Sequence, residues 1–327
     1  MTTLDHEKPE LSAKGGVGSD RLFRWAVLGA ALMVLIILAL ILVTTANEAM
    51  PAFSESGLGL ITGQRWAPSD PHSPIYGALT FIYGTALTSV IALIIAVPVS
   101  IGIALFLTEL APRWLRTPAV TVIDLLAAVP SVVFGLVGVL VIAPGIVPVY
   151  SWLHDVLGGV PLLGSLFGEP SSNGRSFATA GLILAIMVIP IITSIGREVF
   201  STVPAADKQA AYALGATRWE MIKGAVFPHS FGGLVGGTML GLGRAMGETI
   251  AVALIIGAST QITPNVFDSG NTMASVIVLE WGESSGVHTA ALIAIGVLLF
   301  AMTIIINVAA RVIVRRAEIR MKGAASS

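Results

Sequence analysis

The chain has 327 residues, of which 55% are hydrophobic and 11% charged, with a mean hydropathy of +0.88. A water-soluble domain carries about a quarter charged residues, so this composition excludes one. Eighteen lysines and arginines against 19 aspartates and glutamates leave a net charge of −1 and no basic surface for nucleic acid, and the lack of cysteine excludes disulfides, thiolate metal sites and a cysteine nucleophile. What remains is an all-α polytopic membrane protein.

A bilayer core of about 30 Å needs about 20 apolar residues per helix. A tail, residues 1–23, precedes the first run, 24–46. That run is too long for the apolar core of a cleavable signal peptide and is read as a retained span. Further runs are Gly77–Thr108, Ala119–Ala143, Ala178–Phe200, Phe231–Ala258 and Thr289–Val314, six in all, followed by a tail at 312–327. The second run would measure roughly 48 Å as one helix, so it must tilt, kink near Pro98 or protrude. Fifteen basic residues, from Lys8, Lys14, Arg21 and Arg24 to Arg311 and Lys322, fall on one side, against Arg65 and Arg175 on the other. The positive-inside rule then makes both termini cytoplasmic. The six tryptophans stand at or beyond span ends, where an aromatic belt would hold them. In the outer loops, Val160–Phe167 and Met273–Trp281 are apolar but too short to span; they suit interfacial or re-entrant segments, or a docking face.

The loop at 203–228 projects a knob between the fourth and fifth spans. Pro204 precedes Ala205–Leu214, a run of helix formers with Asp207 in its first turn, and Gly215 is placed to end that helix. A second short helix, Thr217–Val226, follows, and Pro228 is expected to stop it. The small side chains of Ala210 and Ala211 would let another surface approach closely. The bland alternative is a helical hairpin that merely connects two spans. The knob has no catalytic group, so it can act only by contact.

The fifth span contains Gly241-Leu-Gly-Arg-Ala-Met-Gly-Glu-Thr249. Arg244 lies about 20 Å into the helix and must face protein or water, since an arginine at that depth costs at least about 2.5–3.5 kcal/mol. Glu248, four residues later on the same face, can neutralise it, in the weaker order for such a pair. That is either glue between helices or an anion site. A guanidinium offers bidentate bonds to an oxyanion, and a carboxylate accepts only from a protonated one, which favours phosphate over sulfate. Glycines along the span permit close packing against other permease helices. Ser131, after Pro130, is a candidate for the substrate path, as are Thr249 and Thr238. Asp124 would favour the N-terminal dipole of the third span, and His229 is read as solvated.

The knob resembles the coupling loop of type I importers of the ATP-binding cassette (ABC) class, whose Glu-Ala-Ala, three residues, Gly pattern docks on an ATPase subunit. Gln209, Ala210, Ala211, Gly215 and Pro228 stand at the matching positions, with Gln209 for the family's Glu, Ala225 for Ile and Phe227 for Leu. Arg-Ala-x-Gly-Glu-Thr in the fifth span is similar to permeases of the bacterial phosphate importer, and the tail and long second outer loop resemble the PstC type. The resemblance covers 77–311 and implies the type I ABC importer transmembrane fold in the bacterial cytoplasmic membrane. It implies phosphate as substrate, with Arg244, Glu248, Thr249 and Ser131 on its path. It also implies a PstA-like second permease, two PstB-like ATPases that hydrolyse ATP, and a PstS-like binding protein outside. The chain has no phosphate-cradling Gly-x-x-x-x-Gly-Lys-Ser/Thr loop, so no cofactor or metal is expected on it and it is not expected to be an enzyme. An ion-coupled anion transporter or channel would leave the knob unexplained. An importer of another oxyanion would share the mechanism.

Overall fold

Backbone polar groups in hydrocarbon must bond within the chain, so apolar runs of this length become helices. The computed structural model describes residues 17–70, 74–161 and 163–325; Lys8 and Lys14 of the basic tail lie outside them. The chain divides into two units, Met1–Asn47 and Glu48–Ser327. The described part of the first belongs to helix α1, Val17–Ser56, whose large apolar side chains from Leu22 to Val43 are exposed, as in a lipid-facing span.

In the second unit a two-residue hairpin, β1 (Trp66–Ala67) with β2 (Ile75–Tyr76), leads into α2, Leu79–Leu105. Then come α3 (Arg113–Ala127), α4 (Ser131–Val137), α5 (Ala143–Leu157) and α6 (Phe177–Ser201). The second half holds α7 (Ala205–Ala213), α8 (Arg218–Met221), α9 (Phe227–Gly247), α10 (Ile250–Ile255), α11 (Met273–Glu280) and α12 (Val287–Ala325). Among the described residues, five helices are long and apolar enough to cross a membrane: Arg21–Ser56, Leu79–Leu110, Ser131–Leu157, Phe177–Ser201 and Val287–Val312. The chain is therefore an all-α, multi-pass membrane protein.

Two expected spans are redrawn. The third does not run Ala119–Ala143. Pro130 adopts φ −59° and ψ 139°, which ends α3 and restarts the helix at Ser131. The span is Ser131–Leu157, and α3 becomes a separate helix with no buried residue. Asp124 thus sits near the C-terminus of α3, not at a span's N-terminus, and its expected dipole role is lost. The fifth, Phe231–Ala258, breaks at Glu248–Thr249, as described below.

The three π-turns among the described residues share one cause. Phe106–Leu110, Gly138–Ile142 and Ile222–Val226 are each followed two residues later by a proline: Pro112, Pro144 and Pro228. Proline has no N–H and its ring crowds the carbonyl four residues back, so the turn before it widens to i→i−5 bonding. Ala111, Ala143 and Phe227 each donate to the carbonyl five residues earlier. Pro228 therefore does not stop a helix. Residues 218–247 are helical throughout, and the expected second helix of the knob is the first turns of the span itself.

The core lies where α2, α6 and α9 pack together. Gly233, Gly237 and Gly241 form one face of α9; β-carbons there would stand 2.5 Å from Val199, 3.0 Å from Ile195 and 2.6 Å from Val188 of α6. Numbers rise on one helix as they fall on the other, so the two are antiparallel and close-packed. Half of the glycine pattern is thus satisfied inside this chain; around Gly236, Gly243 and Gly247 the space is open. The α11 segment is a helix with Met273, Ala274 and Val276 buried, so it enters the bundle rather than lying on its surface. Thr85 Oγ1 accepts from Met273 N at 2.9 Å to seat it. Trp66 is only 8% exposed and donates to Glu280 at 2.9 Å, so it belongs to the core rather than to an interfacial belt; the other five tryptophans are exposed.

Candidate functional site

Gly247, a poor helix former, is the last residue of α9. Glu248 then turns to extended backbone, φ −70° and ψ 125°, and α10 starts at Ile250. Thr249 Oγ1 donates to the Gly247 carbonyl at 3.1 Å, and Glu248 Oε1 accepts from Ala251 N at 3.4 Å. The carboxylate is thereby committed to the first turn of α10, where negative charge is favoured. The expected pairing of Arg244 with Glu248 along one helix face is not made, because the break takes Glu248 off that face; no ion pair joins them.

The restarted helix packs on α4. A β-carbon on Gly135 would stand 3.0 Å from Ala251 Cα, and one on Gly138 2.5 Å from Ile255 Cδ1. Numbers rise together here, so α4 and α10 run parallel. Ser131 opens α4, and Glu248 and Thr249 immediately precede α10. Three of the four path candidates thus stand at the N-terminal ends of two parallel helices. The fourth, Arg244, lies in the last turn of α9, exposed, and lines a cleft of about 560 Å³ with Gly236, Gly243, Asn307 and Arg311. Asn307 and Arg311 were not singled out from sequence, where Arg311 counted only as a boundary charge. Their signal is a polar pair four residues apart in an apolar run. Thr238 donates its hydroxyl to Leu234 O at 2.9 Å, the same kind of bond that Thr249 makes to Gly247 O.

The knob is built as its residues suggest. Gly215 has φ +82°, a region open mainly to glycine, and lets Ala216 N donate to Ala211 O at 3.1 Å. Thr217 and Glu220 form a capping box ahead of α8. The Thr217 backbone N–H and then its hydroxyl, both 2.7 Å from the carboxylate, hold Glu220 below its usual range. Gln209 and Ala210 are exposed, whereas Ala211 turns inward against a cluster of Phe200, Val203, Met221 and Val226. Only one of the two alanines therefore offers a surface to a partner. Sequence reasoning passed over the apolar tip: Leu214 is 89% exposed, and Tyr212 and Trp219 stand exposed beside it. Lys208 in α7 makes an ion pair of 2.5 Å with Glu109 at the end of α2, and Arg116 donates to Thr108 O at 2.7 Å on the same wall.

A family profile described as the binding-protein-dependent transport system inner membrane component matches residues 96–319, more than half of the chain. The chain belongs to this family. Similar to this family member are the phosphate transport system permease protein PstC of Xylella fastidiosa (strain Temecula1), 42% identical over 94% of this chain and 95% of that one, and the PstC of Haemophilus influenzae, 42% identical over 91% and 94%. PstC 2 of Mycobacterium tuberculosis is 41% identical over 96% and 98%. Among solved structures, a bacterial ABC transporter involved in the import of the acidic polysaccharide alginate has a TM-score of 0.60. It covers 91% of this chain and 98% of that one at 16% identity, a likeness of fold alone. The chain is thus the inner membrane component of a binding-protein-dependent transport system, with the fold of ABC importer permeases.

Proposed function

We propose that the chain is the PstC-type permease of an ATP-driven importer of inorganic phosphate. It would work with a PstA-like second permease, two PstB-like ATPases and a PstS-like phosphate-binding protein outside the membrane. The observation that carries this reading is 42% identity, over 94% of the chain, to permeases named for phosphate transport. An arginine without a carboxylate partner at membrane depth supports it. Both termini are cytoplasmic, by the distribution of basic residues, and α9 with α10 completes a sixth crossing. The chain binds no cofactor; ATP is hydrolysed by the partner ATPases, whose groove receives the exposed tip formed by Gln209, Ala210, Tyr212 and Leu214.

Phosphate near neutral pH keeps at least one O–H in most of its forms, and sulfate has none. Glu248, free of Arg244, accepts that hydrogen bond, while Ser131 offers a hydroxyl. A deprotonated oxyanion meets only repulsion from the carboxylate. Arg244 supplies the opposite charge and a planar fork. ATP-driven closure of the ATPases moves the knob, and with it α9 and its arginine, between two states that differ in their contacts to the motor.

The test is labelled-phosphate uptake in cells that lack the permease, restored with wild type, Arg244→Gln or Gly215→Pro, with sulfate as competitor. Two charge-assisted bonds at about 1.5–3 kcal/mol each place the loss for Arg244→Gln at about 100-fold or more. ATP-dependent uptake that sulfate does not block, lost in both variants at normal membrane levels, is the expected result. Uptake that survives without Arg244, or follows a proton gradient without ATP, refutes the reading.

A further inference from the structure

The cleft that holds Arg244 contains a second cation. Arg311 of α12 lines it, with Asn307 one helical turn earlier on the same face, and among the described residues no carboxylate does. An arginine set within a membrane-spanning helix is ordinarily paired with a carboxylate or with carbonyls. Here two exposed arginines line one cleft of about 560 Å³, where an anion shared between them would offset their like charge. The wall of α9 is cleared for such an occupant: β-carbons at Gly236 and Gly243 would meet nothing within 4 Å, whereas those at Gly237 and Gly241 would strike α6. Asn307 spends one amide hydrogen on Thr303 O at 2.9 Å and keeps the other.

We infer that Arg311 and Asn307 form, with Arg244, a second oxyanion station, on the α12 side of α9 and separate from Ser131, Glu248 and Thr249. Its ligand is a phosphate dianion or phosphomonoester group: Arg311 binds two oxygens through its fork, Arg244 a third, and the Asn307 amide reinforces one of them. A path with two moderate stations lets an anion enter one as it leaves the other, which a single tight site does not. The station rests on the importer reading, since it takes that importer's substrate. The same chemistry is also offered by an anionic lipid headgroup, so the test separates the two sources.

The native chain has no cysteine, and Gly243 has room for one. The complete importer carrying Gly243→Cys is reconstituted in purely zwitterionic vesicles and, in parallel, with anionic lipid. Reaction with a negatively charged thiosulfonate is timed with and without inorganic phosphate or sulfate. Gly236→Cys serves as a second reporter, and copurification with the ATPase subunits reports assembly. The expected result is at least fivefold protection by phosphate in zwitterionic vesicles, abolished by adding Arg311→Gln and partly kept by Arg311→Lys. In uptake assays Arg311→Gln alone lowers the maximal rate at least tenfold, while half-saturating phosphate stays within twofold. Protection that persists in Arg311→Gln, or wild-type uptake there, overturns the station. Protection given by anionic lipid and not by phosphate also overturns it, and makes the cleft a headgroup site. Protection by sulfate alone supports the station while sinking the phosphate reading. Uptake lost in Arg244→Gln but normal in Arg311→Gln sinks the station and leaves the phosphate reading standing.

Discussion

At the scale of single residues, Glu248 shows how much a broken helix changes a charge's meaning. On a continuous helix it would neutralise Arg244; bonded instead to Ala251 N, it is an acceptor held beside the path. Glu248→Gln should therefore blunt selectivity more than capacity. Sulfate should become a competitor of phosphate uptake, measured as an inhibition constant, while phosphate transport persists at a reduced rate. Glu220 is the residue whose protonation matters for the knob. Its carboxyl is held below the ordinary range by Thr217. The stabilisation is thus complete above the unfolded carboxyl's value, about 4.3, and is lost as pH falls through the lower folded value. Proteolytic nicking around residues 215–219 in open membranes should rise as pH drops below the ordinary glutamate range. In Glu220→Gln, which keeps an acceptor but cannot titrate, that rise should be absent.

At the scale of elements, the two faces of α9 make opposite demands on glycine. Gly237→Val and Gly241→Val drive side chains into Ile195, Val188 and Ile192 of α6. They should cost about 1–3 kcal/mol each, or more where α6 cannot shift, seen as a lower unfolding temperature of the detergent-solubilised complex. Gly243→Ala, on the open face, should leave that temperature within error. A periodicity of glycines cannot say which face belongs to the chain's own core, because only the partner helix's side chains decide it. The π-turns teach the converse. Each has a proline two residues beyond its end, so the local sequence does contain the cause; reading Pro228 as a stop took the missing N–H for an end rather than a widened turn.

At the scale of the whole molecule, the ion pair of Lys208 with Glu109 ties the knob to the end of α2, so a push on α7 is delivered to the bundle at two points. Lys208→Ala or Glu109→Ala should cost about 1–3 kcal/mol of local stability and lower uptake per ATP hydrolysed in reconstituted importer. The swap of Lys208→Glu with Glu109→Lys should recover much of it. Recovery no greater than either single charge reversal would show that the two sites act separately. The tie joins residues 99 apart, and nothing in the local pattern of either segment announces it.

Composition alone determined that this chain lives in a bilayer, because so few charges cannot solvate so much apolar surface. Hydropathy placed four of the spans, and residue type named Arg244, Glu248 and the glycine of the knob, since each chemistry needs that side chain or that φ. Tertiary structure decided the rest. Pro130 and the Gly247–Glu248 break divide runs that hydropathy averages into one. The parallel packing of α4 on α10 sets Gly135 against Ala251, more than 100 residues away. Meeting points of this kind depend on how side chains of distant helices interlock, and a one-dimensional pattern of polarity carries no record of that.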